Sequence, residues 1–175
     1  RPDVHIASIC VELERRGRVA VQAARAGKHL FMDKPLAASV GDARAIVQAC
    51  AQARVRSHMD TMVRSGWALG ARHLVASGRL GDLRAIHCDL LFAKGPAGSV
   101  PLGRPRREHF PPTRFTFLDS KRELMTTGVY SLAFLAWLTG RQVRTVYAVT
   151  ANYFFAEHAK NDVEDFGLMV LSLDG

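Results

Sequence analysis

Apolar and polar positions fall into two regimes along this chain. In the first, short apolar runs alternate with stretches of helical period. Val4-His5-Ile6-Ala7-Ser8-Ile9 reads as a strand. Val19, Ala20, Ala23, Ala24 and Ala26 then recur at helical spacing, and Gly27 stands where a helix end takes a residue of positive φ. His29-Leu30-Phe31-Met32 is almost wholly apolar, which predicts a strand buried on both faces of a parallel sheet. Ser39 followed by Asp42 is a helix-start signature, and Ala43, Ile46, Val47, Cys50 and Ala51 predict that helix's inward stripe. Val55-Arg56-Ser57-His58 reads as a third strand. Strand, helix, strand, helix, strand with short connections predicts a doubly wound parallel α/β layout over residues 1–62.

From residue 63 onward the pattern changes. A helix is predicted from Ala68 to Ala76, a glycine-punctuated turn over Ser77-Gly78-Arg79-Leu80-Gly81-Asp82, and a strand from Leu83 to Phe92. Lys94 to Arg122 is rich in Gly, Pro and Arg and too long for an ordinary connector, which predicts a lid or mobile loop. A strongly apolar helix spans about Thr126 to Leu138 and closes on Thr139-Gly140. Strands follow near Val143 to Ala151 and Phe166 to Leu173 with no helical crossover between them, so they are expected to pair antiparallel. The chain opens at Arg1-Pro2-Asp3 directly before a strand and stops just past another, so both ends read as cuts.

Composition narrows the function classes. With 48% hydrophobic residues the chain has enough apolar surface for a packed core. Its longest apolar runs, such as Leu132 to Leu138, fall well short of the roughly 18 residues a bilayer span needs, so a cytoplasmic protein without a membrane partner is expected. Cys10, Cys50 and Cys88 are odd in number and widely spaced, which suits reduced, buried thiols rather than disulfides or a zinc site, and no metal is expected. The net charge of +8 raises the question of nucleic acid. Its basic groups are spread along the chain and are not interleaved with aromatic platforms, so solvated faces are the favoured reading and no nucleic-acid partner is expected.

The segment Ala26-Gly27-Lys28-His29-Leu30-Phe31-Met32-Asp33-Lys34-Pro35-Leu36-Ala37 carries the sharpest signal. It sets an acid, a lysine and a proline at the carboxyl end of a buried strand, the edge where open parallel sheets bind ligands. A lysine there can hold positive charge beside a developing alkoxide, with Pro35 fixing the backbone. Spacing alone equally fits a solvated lysine after a strand. The segment resembles the glucose-fructose oxidoreductase, inositol dehydrogenase and MocA-type family, whose members show an alanine-glycine-lysine-histidine stretch followed by glutamate-lysine-proline. The resemblance covers nearly the whole chain and implies the second half of a Rossmann-type parallel sheet followed by part of an α+β substrate domain, residues 63–175, with a largely antiparallel sheet. It also implies NAD or NADP as cofactor, with Asp33, Lys34 and Pro35 beside it, and Asp33 in place of the family's glutamate.

A second motif, Met125-Thr126-Thr127-Gly128-Val129-Tyr130-Ser131-Leu132, opens the apolar helix. Where many relatives carry aspartate and histidine, this chain has Thr126 and Tyr130. The resemblance implies a substrate hydroxyl bound by Thr126 and a proton relayed by Tyr130, and an aromatic packed at a helix start is the alternative for Tyr130. Asn152 and His158 are candidate substrate-binding residues, and Asp60 and Arg64 are weaker ones. Arg16 could reach a cofactor phosphate or face water, and water is the favoured reading. No Gly-x-Gly-x-x-Gly turn follows a strand here, so NAD and NADP are not distinguished. The function implied is hydride transfer between a nicotinamide cofactor and a sugar, polyol or related hydroxy compound, with Lys34 and Tyr130 catalytic, in a homo-oligomer (dimer or tetramer). The alternative is a non-catalytic ligand- or cofactor-binding member of the same fold.

Overall fold

The computed structural model describes residues 1–92, 95, 104, 106–108 and 121–175. Most of the Lys94 to Arg122 loop predicted as a lid therefore lies outside the described residues. Contacts divide the chain into two compact units, Arg1–Thr61 and Met62–Gly175.

The first unit contains β1 (Ile6–Ile9), α1 (Leu13–Arg25), β2 (His29–Met32), α2 (Val40–Ala53) and β3 (Ser57–Met59). The strands are parallel in the order β1-β2-β3, with Ser8 opposite Phe31 and Phe31 opposite His58. Ile9, Leu30 and Met32 from the sheet, Ala20 and Ala24 from α1, and Ile46, Ala49 and Cys50 from α2 form one buried cluster. Both helices therefore pack on the same sheet face. On the opposite face Ile6 is 63% and Phe31 42% exposed within these residues, so the helices of this unit bury β2 at alternate positions. Its apolar run reflects one strand face turned to two helices, with Phe31 stacked on His58 on the other.

The helix ends follow the local chemistry. Ser39 accepts a hydrogen bond from the Asp42 N–H at 3.0 Å and donates to its carboxylate at 2.9 Å, as a helix N-cap should. Gly27 has φ 73, and the N–H groups of Gly27 and Lys28 return to the carbonyls of Ala24 and Ala23, closing α1 in the manner glycine allows. The inward stripe of α2 runs through Ile46, Ala49 and Cys50, while Val47 is 59% exposed. A Cβ on Gly17 would stand 2.8 Å from the Asp42 Cβ, so the start of α2 seats on α1 where α1 has no side chain. All three thiols are free, but only Cys50 is buried; Cys10 and Cys88 are exposed.

The second unit begins with a 3-10 turn at Met62–Arg64 and α3 (Gly66–Ala76), followed by α4 (Glu123–Thr126), α5 (Gly128–Thr139), β4 (Val143–Ala151), α6 (Ala156–Lys160) and β5 (Phe166–Leu173). The single apolar helix expected from Thr126 is two helices broken at Thr127. Gly140, with φ 66, ends α5. β4 and β5 pair antiparallel, with Tyr147 opposite Val170 and a register shift between Val143 and Thr145. A Cβ on Gly167 would overlap the Leu124 side chain, so α4 rests on β5 at a bare glycine. Trp67 of α3 and Phe134 of α5 lie 4.8 Å apart between ring centroids, and Arg72 sits 4.6 Å over the Trp137 ring. Residues 83–92, expected to form a strand, join no ladder among the described residues. Among the described residues no helix is long and apolar enough to cross a membrane.

Candidate functional site

Because β1, β2 and β3 are parallel, the loops that leave them emerge at one edge of the sheet. The loop after β2 is Asp33-Lys34-Pro35. Its Lys34–Pro35 peptide is cis. The Asp33 N–H reaches the Ile9 carbonyl at 3.4 Å, and the Asp33 carboxylate accepts from the Lys34 N–H at 2.8 Å. Lys34 is half-buried and Asp33 is exposed.

Arg16, expected to face water, is 5% exposed. Its guanidinium lies under this loop. Nη1 donates to the Asp33 carbonyl at 2.9 Å and to the Pro35 carbonyl, and Nη2 donates to the Val11 carbonyl at 3.1 Å in the loop after β1. The Asp33 carboxylate stands 3.8 Å from Nη2. Burial drives this arrangement, since a guanidinium removed from water must find acceptors and a counter-charge. Sequence pattern hid it: Arg16 sits in an arginine-rich helix start that reads as a solvated face.

Thr126 and Tyr130 belong to the second unit and lie on either side of the break at Thr127. Thr126 Oγ1 donates to the Arg122 carbonyl at 2.8 Å. Tyr130 is half-buried in the first turn of α5, with its N–H on the Thr127 carbonyl at 3.0 Å. Beside them, Thr127 Oγ1 donates to the Glu123 carboxylate at 2.9 Å.

Asn152 is exposed at the end of β4. Oriented to pair with acceptors, its amide nitrogen donates to the Val163 carbonyl at 2.6 Å. His158 is fully buried. Its Nε2 is 3.3 Å from the Glu108 carboxylate and its Nδ1 3.4 Å from the Glu164 carbonyl. Glu108 also pairs with Lys121 Nζ at 3.1 Å, and Arg122 with Glu164 at 2.9 Å. Asp165 accepts from the N–H groups of Tyr153, Phe154 and Phe155 at 2.8, 2.9 and 2.7 Å, an anchoring role that sequence reading missed. A cavity of about 2060 Å³ in this unit runs between residues 83–92 and β5. Among the described residues its walls include Thr127, Gly128 and Asn152 but not Thr126, Tyr130 or His158. Asp60 and Arg64, the weaker candidates, are exposed, and the Asp60 N–H reaches the Met32 carbonyl at 2.8 Å.

Residues 1–61 match the family model described as "Oxidoreductase family, NAD-binding Rossmann fold", and residues 69–175 match "GFO/IDH/MocA C-terminal domain". A curated relative, dehydrogenase aclE of Aspergillus oryzae, is 30% identical over 97 residues, which is 53% of this chain and 26% of the relative. The aldose-aldose oxidoreductase of Caulobacter crescentus, solved with glycerol, is 25% identical with a TM-score of 0.72, over 99% of this chain and 48% of that one. A structure from Desulfitobacterium hafniense named for an NADPH-dependent oxidoreductase is 19% identical with a TM-score of 0.78, over 99% of this chain and 46% of that one. The chain thus spans about half the length of the solved relatives and about a quarter of the curated one.

Proposed function

We propose, from the premise that this chain belongs to the GFO/IDH/MocA oxidoreductase family, that the whole protein transfers hydride between NAD or NADP and a CH–OH group of a sugar, polyol or related hydroxy compound. The observation that carries the reading is the Asp33-Lys34-Pro35 loop at the carboxyl edge of a parallel sheet, its backbone held from below by Arg16. The names of the relatives point the same way: one is named an aldose-aldose oxidoreductase and another an NADPH-dependent oxidoreductase.

The residues present fit the nicotinamide end of such a cofactor. Arg16 donates to the Val11, Asp33 and Pro35 carbonyls, and Lys34 supplies the cationic side chain of this loop, with Pro35 next to it in the chain. When bound, the cofactor supplies the hydride acceptor or donor. Lys34 holds its charge against the oxygen of the reacting carbon and stabilises the alkoxide that develops there. Tyr130, in the second unit, is the proton relay of this reading: its phenol gives a proton in the reducing direction and takes one back in the oxidising direction. Thr126 and Asn152 hydrogen-bond substrate hydroxyls. His158, buried on Glu108, holds the Asn152 to Lys160 segment in place rather than touching substrate. The protein acts as a cytoplasmic homo-oligomer; exposed Val146, Tyr147, Leu168 and Val170 on the β4–β5 sheet support the assembly.

A non-catalytic cofactor-binding member is the second reading, favoured by the Thr126 hydroxyl, which is uncharged and engaged with the Arg122 carbonyl. The full-length protein with NAD⁺ or NADP⁺ and a panel of aldoses and polyols separates the two. Reduced nicotinamide appearing with one substrate class supports the dehydrogenase; tight dinucleotide binding without turnover on the whole panel supports the binder.

A further inference from the structure

We infer that Arg16 is a positioning residue for the reaction: it clasps the loops after β1 and β2 and so fixes where Lys34 stands. The inference rests on the dehydrogenase reading and deepens it. Three observations carry it. First, one guanidinium donates to carbonyls on two separate loops, Val11 on one and Asp33 and Pro35 on the other. The two Asp33 and Pro35 acceptors flank Lys34 on both sides, so the lysine backbone is held at both peptide neighbours. Second, the side chain is buried, with 6% exposure against 51% for the Asp33 side chain, so these bonds form away from competing water and are worth more than surface contacts. Third, Asp33 has a role in the same clasp. Its carboxylate accepts the Lys34 N–H and faces Arg16 at 3.8 Å, so the acid of the motif is spent on holding the loop.

The geometry needs arginine. A planar fork can reach acceptors on two sides at once, whereas a lysine ammonium is a point charge on a flexible stem. Gly17 supports the placement: with no side chain there, the Ser39–Asp42 start of α2 closes over α1 one residue from Arg16. Arg16 Nε is buried with no acceptor among the described residues, so the side chain accepts an unmade hydrogen bond while both Nη groups stay on the loops.

The test uses the full-length protein with Arg16→Met, which keeps the reach and removes the donors, and Arg16→Lys, which keeps the charge. Amide hydrogen exchange at Asp33, Lys34 and Leu36 and steady-state kinetics are both read. In Arg16→Met the exchange at these amides should quicken by about tenfold or more, and kcat should fall about 10²-fold with KM changed far less, the signature of a misplaced catalytic group. Arg16→Lys should recover only part of kcat, and it carries the test if Arg16→Met does not fold. A variant with a lowered unfolding midpoint but unchanged kcat and unchanged exchange at residues 33–36 would overturn the inference and leave Arg16 a packing residue. If the wild-type protein shows no nicotinamide-dependent turnover, the dehydrogenase reading fails by itself, and the exchange arm still decides the clasp: unchanged protection in both variants overturns it.

Discussion

In the first unit, Ile9, Leu30, Met32, Ala20, Ala24, Ile46, Ala49 and Cys50 bury one another in a single cluster between one sheet face and two helices. The second unit is arranged differently. Its long strands keep Val146, Tyr147, Leu168 and Val170 exposed, and its loops are fastened by charge: Asp165 on three N–H groups, Glu108 between His158 and Lys121, Arg122 on Glu164. The difference teaches where each unit is sensitive. Apolar burial acts over area and tolerates small shifts, whereas a buried carboxylate network fails when one partner is lost.

Substitutions can break or sharpen that contrast. The largest stability effect is expected from Ile46→Ala, which empties a fully buried site of the first unit and should cost about 2–5 kcal/mol in denaturant unfolding. Val47→Ala, one residue along the same helix but exposed, should stay within about 0.5 kcal/mol. Equal effects at the two positions would mean that α2 is rotated from the face described. In the second unit, Asp165→Ala strips three donors of one carboxylate and should cost about 1.5–3 kcal/mol. Its effect should be local, with faster amide exchange at residues 153–155; a change spread evenly over both units would contradict the division between them. Ser39→Ala removes the cap of α2 and should lower stability by about 1 kcal/mol, measurable as a shift in the unfolding midpoint.

Much of this was legible in the sequence where period and cap chemistry agree. Gly27, Ser39 and Gly140 mark helix ends that the structure has at those places, and the β4 and β5 spans are those that the apolar runs predict. Failures occurred where tertiary context decides. The apolar β2 run does not reveal that both crossover helices pack on one face, with Leu30 and Met32 toward them. The α2 stripe was read correctly at Ile46 and Cys50 but included Val47 and Ala51 and omitted Ala49, because all three are apolar and only packing chooses between them. Residues 83–92 have strand composition, but a ladder needs a neighbour that local sequence does not supply. The Lys34 motif was visible as residues in order. The Arg16 contacts were not, because they join positions 17 and 19 residues apart through backbone carbonyls that carry no sequence signature. His158 was visible as a histidine, but its burial against Glu108 depends on a contact 50 residues away.

The most direct test of the central claim is Lys34→Ala in the full-length protein, assayed for nicotinamide-dependent turnover beside its unfolding curve. The account predicts a cooperative unfolding transition close to that of the wild type and kcat reduced by about 10²-fold or more, the scale on which removing one group that stabilises a developing oxyanion acts. Turnover retained at the wild-type rate in a folded Lys34→Ala protein would contradict the account and move the chemistry away from this loop.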